Sequence, residues 1–429
     1  MTILFHTFGC KVNSSETESM AESVIKNSFT VVKEQEQADI VVVNSCTVTA
    51  NSDRKMRTFL RRAKNINPGV ITVLTGCFPQ AYENEAVLLR QNGLVDVLLG
   101  NVNKHDIVKY IRRFLESKKV FEEILPHTEG NILEYTLIQG MQNHTRAFMK
   151  IEDGCDRYCS YCIVPFARGN IKSLPVEKIR EQAKIFAENN YKEIVLTGIN
   201  LSSYGKGTGS ALADAVRAAD VDGIERIRLS SLEPDLMTDC IINELSTVEK
   251  LCPHFHLSLQ SGCDNTLISM GRRYTSAEYM NVLTKIKRAF DDPTFTTDIM
   301  VGFPTETDED FSVSLDFVSS IDFLKCHVFP YSPRPMTEAA CFKHLSKSTK
   351  EQRVRKMISA TDTVRQNVLK SQIGKAADII VESINSDGYF EGYTRRYIPV
   401  LLKGELTPGS LLKARITGIE KGTCVAEII

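Results

Sequence analysis

The chain has 429 residues, so two or three domains are expected at roughly 100–200 residues each. With 42% apolar and 24% charged residues, it is neither largely disordered nor collagen-like. A net charge of −1 excludes a uniformly basic nucleic-acid binder but leaves room for local basic patches. Ile3 to Phe8 then reads as a short strand that stops at Gly9-Cys10. A helix should follow, with Ser15 and Glu18 in capping-box spacing at its start and Met20, Val24 and Ile25 on its apolar face. Ile40 to Val43 is a β-branched run, as in a buried parallel strand, and it stops at Asn44-Ser45-Cys46. Asp53 to Lys64 is helical in composition, Val70 to Leu74 is a third strand ending at Gly76-Cys77, Tyr82 to Gln91 is helical, and Val95 to Leu99 is a further apolar run. Strand–helix alternation predicts a parallel sheet whose sites form at the carboxyl ends of the strands. Cys10, Cys46 and Cys77 each sit just past such an end and should converge. Three convergent thiolates suit an iron–sulfur cluster with one open iron, or zinc with an open position.

The compartment bears on that reading. No run approaches the ~18–20 apolar residues of a membrane span, and Met1 to Cys10 lacks the basic start and apolar core of a signal peptide. A cytoplasmic protein without a membrane partner is expected, and reduced thiols there are more often ligands than disulfides. Twelve cysteines is then a high count. The sharpest signal is Cys155, Cys159 and Cys162, spaced C-x3-C-x2-C. No fourth Cys or His follows within the next thirty residues to complete a zinc knuckle. With Tyr161 before the last Cys, the string resembles the radical S-adenosylmethionine (SAM) superfamily. The resemblance implies a [4Fe–4S] cluster whose unique iron is chelated by SAM, with the cofactor supplying the hard chemistry.

Strand-like runs at Ala147 to Ile151, Ile194 to Thr197, Ile227 to Ser230, His254 to Leu259, Thr294 to Val301 and Leu324 to Phe329 predict six βα units. Helical segments such as Val176 to Asn189 and Ser276 to Phe290 lie between most of them. That is an incomplete version of the eight-stranded barrel, with its site at the carboxyl face. Polar or glycine residues follow these strands, and the resemblance assigns SAM contacts to Tyr161, Gly198, Asn200, Ser231, Glu233, Gln260, Asp298 and Gly302. From about residue 371, alternating runs at Ala377 to Val381, Tyr397 to Leu402 and Leu411 to Ile419 are separated by Asp387-Gly388, Lys403-Gly404 and Pro408-Gly409. They predict a small all-β barrel. Its charges balance, seven basic against seven acidic, so it is not a generic polycation. Arg395, Arg396 and Tyr397 form a basic-aromatic patch suited to an RNA backbone, unless the barrel merely caps the main domain. Basic runs at Arg54 to Lys64 and Lys343 to Lys356 are further candidates, each with the alternative of a solvated helix face.

The fold class is thus α/β, in three parts: an N-terminal parallel α/β domain (1–125), a partial (β/α)6 radical SAM barrel (141–370) and a C-terminal all-β barrel (371–429). This order resembles the methylthiotransferases, whose last domain is a TRAM domain, over essentially the whole chain. The matching strings are Gly9-Cys10-Lys11-Val12-Asn13, Asn44-Ser45-Cys46-Thr47-Val48-Thr49, Thr75-Gly76-Cys77, Arg168-Gly169 and Phe329 to Arg334. Met336, where Gly is usual, and Ser45, where Thr is commoner, depart from the pattern. The G-C-K-V-N string resembles the branch acting on N6-threonylcarbamoyladenosine at position 37 of tRNA. The resemblance implies two [4Fe–4S] clusters, on Cys10, Cys46 and Cys77 and on Cys155, Cys159 and Cys162. It also implies two SAM molecules and transfer of a methylthio group to C2 of the adenine. No side-chain acid or base is assigned, because an aromatic C–H is too weakly acidic for one. The expected partners are tRNA and an electron donor such as flavodoxin or ferredoxin. Alternatives are the isopentenyladenosine branch, the branch acting on a ribosomal protein, a radical SAM enzyme of another reaction class with zinc on the N-terminal cysteines, and a non-catalytic RNA binder. Lys11, beside Cys10, is a candidate cation for the threonylcarbamoyl carboxylate.

Overall fold

A computed structural model describes residues 1–141 and 144–429; Gln142 and Asn143, at the start of the expected second domain, lie outside the described residues. Six parallel strands open the chain: β1 (Thr2–Thr7), β2 (Thr30–Val32), β3 (Ile40–Ser45), β4 (Ile71–Gly76), β5 (Val97–Leu99) and β6 (Phe121–Glu123). Their order in the sheet is β2-β1-β3-β4-β5-β6. All six residues of β3 are buried, as a strand covered on both faces requires. Its side chains alternate, Val41 and Val43 joining one core and Ile40 and Val42 the other. The first helix, Lys11–Lys26, begins four residues before the expected capping box, with Cys10 at its N-cap. Ser15 is buried mid-helix and donates instead to the Phe148 carbonyl at 3.1 Å, so a contact from the second domain uses the hydroxyl that a cap would need.

The central part holds β7 (Ala147–Lys150), the short pair β8 (Glu152–Asp153) and β9 (Lys172–Ser173), then β10 (Glu193–Thr197), β11 (Arg226–Leu229), β12 (Ser231–Leu232), β13 (His254–Leu257), β14 (Thr294–Val301) and β15 (Phe323–Pro330). Apart from β8 and β9, they form two parallel sheets, β11-β10-β7 and β12-β13-β14-β15. Only Ser230 separates β11 from β12, so one broken strand passes from sheet to sheet and six βα units curve into an open barrel. Helices including Val176–Glu188 and Ser276–Ala289 pack outside it. The basic run at Lys343 to Lys356 enters the long helix Lys347–Lys370. Arg353 there is buried against Glu306 and Asp308, so that run is partly internal.

Five strands close the C-terminal barrel: β16 (Ala376–Ile384), β17 (Phe390–Thr394), β18 (Pro399–Leu402), β19 (Leu411–Glu420) and β20 (Thr423–Ile428), in the order β16-β17-β18-β20-β19. Its core includes Ile379, Val400, Ile416 and Cys424 and extends onto Leu324 and Leu369. The barrel seats on the amino ends of the central strands. Arg226 donates to the Asp378 and Tyr393 carbonyls at 2.7 and 3.1 Å, and Arg228 to the Arg395 carbonyl at 3.0 Å. The patch expected to face RNA is bound into this seam. Tyr397 stacks on Tyr393 at 4.6 Å, Arg396 pairs with Asp292, and Arg395 donates to the Glu249 carbonyl. The capping reading therefore describes these three residues. No helix among the described residues is long and apolar enough to cross a membrane.

Candidate active site

Strand order gathers the first three thiols. β1, β3 and β4 are immediate neighbours, and Cys10, Cys46 and Cys77 follow their carboxyl ends. A Cβ on Gly9 would lie 2.9 Å from the Cys46 Cβ, and one on Gly76 2.4 Å from the Ser45 carbonyl, so both glycines are needed to bring the turns this close. Gly76 has φ +103 and ψ −154, a region essentially reserved for glycine. Burial first, then Cys77 and Cys10, push the Cys46 thiol up to about 12. Burial also raises Cys10, against the Arg168 guanidinium. Donors stand ready for anionic sulfur: the Val48 N–H lies 3.5 Å from the Cys46 Sγ and the Asn101 amide 3.7 Å from the Cys77 Sγ. Among the described residues, no three His, Cys, Asp or Glu groups gather tightly enough to share one metal ion.

The second three thiols come from one loop. Gly154 turns it with φ +85, and an added Cβ there would strike the Asn170 carbonyl at 2.0 Å. Backbone bonds from Cys155 to the Gly169 carbonyl (3.0 Å) and from Ser160 to the Met270 carbonyl (3.0 Å) hold it in place. Cys155, Cys159 and Cys162 line a cavity of about 240 Å³ together with Tyr161, Asn200, Ser231, Glu233, Gln260 and Asp298. Burial pushes Cys155 and Cys162 up to about 12. Two acceptors on its wall, Asn200 Oδ1 and Gln260 Oε1, are buried without a hydrogen-bond partner among the described residues. Of the other expected SAM contacts, Gly198 lines the neighbouring larger cavity. Gly302 is displaced from both, because it packs where a Cβ would meet Lys350 at 2.4 Å.

The sequence reading missed three charged groups here. Arg272 donates to the Cys159 Sγ at 3.3 Å and to Glu233 at 2.5 Å, and Arg157 pairs with Asp235. Glu152 is fully buried, accepts from the Asn200 N–H at 2.8 Å, and is pushed up to about 8, chiefly by burial. The only signal for Arg272 was its place in the Gly271-Arg272-Arg273 turn before the Thr275 helix cap.

The larger cavity, about 740 Å³, lies where the N-terminal domain, the open barrel and the C-terminal barrel meet. Cys10 and Lys11 form part of its wall, and Tyr393 and Tyr397 belong to the seam with the C-terminal barrel. Ser231 and Asp298 line both cavities, so the two adjoin. Lys11 is half-buried, and burial, Arg146 and Arg228 pull it down to about 8.

Two links tie the thiol sites together. The five-residue helix Val164–Arg168 starts just after Cys162 and ends at Arg168, whose Nη2 lies 3.3 Å from Asn13 Oδ1; that atom accepts from the Cys10 Sγ at 3.3 Å. Arg168 also pairs with Glu16 (3.0 Å) and Asp153 (2.9 Å), and Lys104 and Lys150 complete the buried network. Burial alone would raise Glu16, but Arg168, Lys104 and Lys150 hold it well below its usual value. The second link is Arg334, the last residue of the F-P-Y-S-P-R string. It reaches the Thr47 carbonyl (3.1 Å) and Asp53 (2.5 Å) beside Cys46. Just beyond, Met336 holds the loop shape with φ +71, in the left-handed region where glycine is at ease.

Comparison with known proteins agrees with this plan. Residues 2–100 match the model of the uncharacterized protein family UPF0004, and residues 149–318 that of the radical SAM superfamily. The chain is 35% identical over 422 residues to the threonylcarbamoyladenosine tRNA methylthiotransferase MtaB of Aquifex aeolicus, covering 97% of this chain and 100% of that one. It is 36% identical over 400 residues to the protein of the same name from Thermotoga maritima, covering 92% and 90%. It is 30% identical over 434 residues to the tRNA-2-methylthio-N(6)-dimethylallyladenosine synthase of Acetivibrio thermocellus, covering 99% and 90%. Among solved structures, the radical SAM methyltransferase TsrM from Kitasatospora setae shares the fold, with a TM-score of 0.56 at 12% identity over 79% of this chain and 74% of that one.

Proposed function

The chain belongs to the radical SAM tRNA methylthiotransferase family, and from that premise we propose that it adds a methylthio group to C2 of N6-threonylcarbamoyladenosine at position 37 of tRNA. The observation that carries this reading is the pair of three-thiol sites on adjoining cavities, with Ser231 and Asp298 common to both. Residues 1–125, 141–370 and 371–429 are read as the sulfur-carrying, radical SAM and TRAM-like units.

Cys155, Cys159 and Cys162 would hold one [4Fe–4S] cluster and Cys10, Cys46 and Cys77 a second. When bound, these clusters and SAM supply one-electron cleavage of SAM and the sulfur for transfer. Tyr161, Asn200, Ser231, Glu233, Gln260 and Asp298 are the SAM-facing residues, and the unpartnered Asn200 and Gln260 oxygens are acceptors suited to its donors. Arg272 orients Glu233 and the Cys159 sulfur through one fork of donors. Ile199, Met300 and Phe329 give the smaller cavity an apolar side that limits water. No residue is assigned as acid or base.

Backbone phosphates suit the helix Ala50–Ile66. Lys55, Arg61 and Arg62 are exposed, whereas Arg57 and Lys64 are paired with Glu85 and Asp96. Against the same helix, His6 stacks on Phe59 at 4.0 Å in a surface hollow lined by Phe8, Lys55 and Arg62, a basic-aromatic pattern that suits a splayed loop. A one-electron donor such as flavodoxin or ferredoxin completes the system. The test is nucleoside mass analysis of tRNA from cells with and without the protein. The 2-methylthio form of threonylcarbamoyladenosine should vanish without it. Loss of the isopentenyl counterpart instead would move the assignment to that branch.

A further inference from the structure

The larger cavity has a surplus of positive charge. The buried guanidiniums of Arg146 and Arg228 lie over the lining rings of Tyr393 and Tyr397, Arg226 donates to the Tyr393 carbonyl, and two carboxylates answer the three. Glu193 is 2.7 Å from Arg228 and 3.6 Å from Arg146, while Glu382 pairs with Arg146. On the wall itself Lys11, Lys325 and Arg365 stand against Asp298 and Glu391, and Asp298 is already engaged by His256 at 3.3 Å. Lys11 is half-buried, and among the described residues it has no hydrogen-bond or ion-pair partner. A half-buried ammonium with no directly paired counter-ion is unfavourable, and an anionic ligand group relieves it.

We propose that this cavity receives the N6 substituent of the target adenine, and that Lys11 binds the carboxylate at its end and so selects the substrate. The proposal rests on the assignment of a tRNA adenosine as substrate and names the chemical class of its substituent. Lys11 adjoins Cys10, so a base bound with its substituent on Lys11 stays beside the proposed sulfur-bearing site. An apolar tail in the same place would leave the ammonium buried and unpaired, and sites built for a polar group reject analogues that lack it.

The test uses full-length, iron-loaded protein and equilibrium binding of synthetic anticodon stem-loops. The loops carry threonylcarbamoyladenosine, its carboxylate methyl ester, or plain adenosine. Wild type should bind the free acid about tenfold or more tighter than the ester, the strength of one charge-assisted contact. Lys11→Gln should bind acid and ester alike, and Lys11→Arg should restore much of the preference. Equal binding of acid and ester by wild type overturns the proposal without relying on any variant. So does a preference that survives Lys11→Gln, or one abolished by Lys325→Gln alone. Loss of iron from Lys11→Gln would also overturn it, by showing that the side chain supports the cysteine turn. These readings are independent of turnover. If wild type makes no methylthiolated product from the acid-bearing tRNA, it is the substrate assignment that fails.

Discussion

The two three-thiol sites reach similar ends by different routes. Cys155, Cys159 and Cys162 lie within eight consecutive residues, positioned by one loop, one glycine and a few backbone hydrogen bonds. Cys10, Cys46 and Cys77 are spread over 68 residues and meet only because β1, β3 and β4 are neighbours. The compact site depends on local turn chemistry, and the dispersed site on the whole sheet. Damage to either should therefore be separable. The largest effect is expected from removing the ligands themselves. Anaerobic protein should hold about eight irons on the two-cluster reading. Either set of three Cys→Ala changes should leave about half. The Cys155/Cys159/Cys162 variant should lose SAM cleavage, while the Cys10/Cys46/Cys77 variant should keep cleavage and lose methylthiolation. Product from the latter would refute the sulfur-carrier role.

A subtler pair of changes leaves every thiol in place. Gly76→Ala places a Cβ 2.4 Å from the Ser45 carbonyl, and Gly154→Ala places one 2.0 Å from the Asn170 carbonyl. Each should cost more than about 2 kcal/mol locally. Iron analysis and SAM cleavage should show Gly76→Ala harming only the dispersed site and Gly154→Ala only the compact one. If Gly76→Ala also abolished SAM cleavage, the two sites would not be independent.

Such independence was partly readable in the sequence. Strand positions followed from β-branched runs, and adjacent strand ends explain why distant cysteines meet. What stayed hidden depended on partners far along the chain. Ser15 and Glu18 have cap spacing, but Phe148 takes the Ser15 hydroxyl. Arg395 to Tyr397 have the composition of an RNA patch, but Glu249, Asp292 and Tyr393 take them up. Gly302 follows its strand as expected, yet the long helix Lys347–Lys370, legible only as a basic run with the alternative of a solvated helix face, fills the space beside it. Arg272 and Glu152 gain meaning only from Cys159, Glu233 and Asn200.

Glu152 sharpens the contrast through pH. Its carboxyl is raised from 4.5 to about 8. Between these values the unfolded chain has released the proton and the folded chain retains it, so stability falls as pH rises through that window. Glu152→Gln should remove this slope and stabilise the iron-free protein by up to about 4 kcal/mol near pH 8, while changing little near pH 4.5. Denaturant midpoints across the range would check it, and parallel curves for the two proteins would refute it. The smallest effect belongs to the loop behind Arg334. Met336→Gly should relieve its φ of +71 and add about 1 kcal/mol or less, seen as a slightly higher midpoint. A lower midpoint would mean that the exposed Met336 side chain makes a contact worth more than the strain.

The helix Val164–Arg168 acts as a ruler. It is five residues long, about 7 Å at the usual rise, with a loop ligand just before one end and the network beside Asn13 and Cys10 at the other. The short helix thus fixes how far Arg168 stands from Cys162, and the Arg168 guanidinium carries that placement to Asn13 through hydrogen bonds. One inserted residue would swing Arg168 by about 100° and carry its guanidinium away from Glu16 and Asn13, with all six cysteines still present. Iron content and SAM cleavage of such an insertion variant would therefore report on the spacing alone.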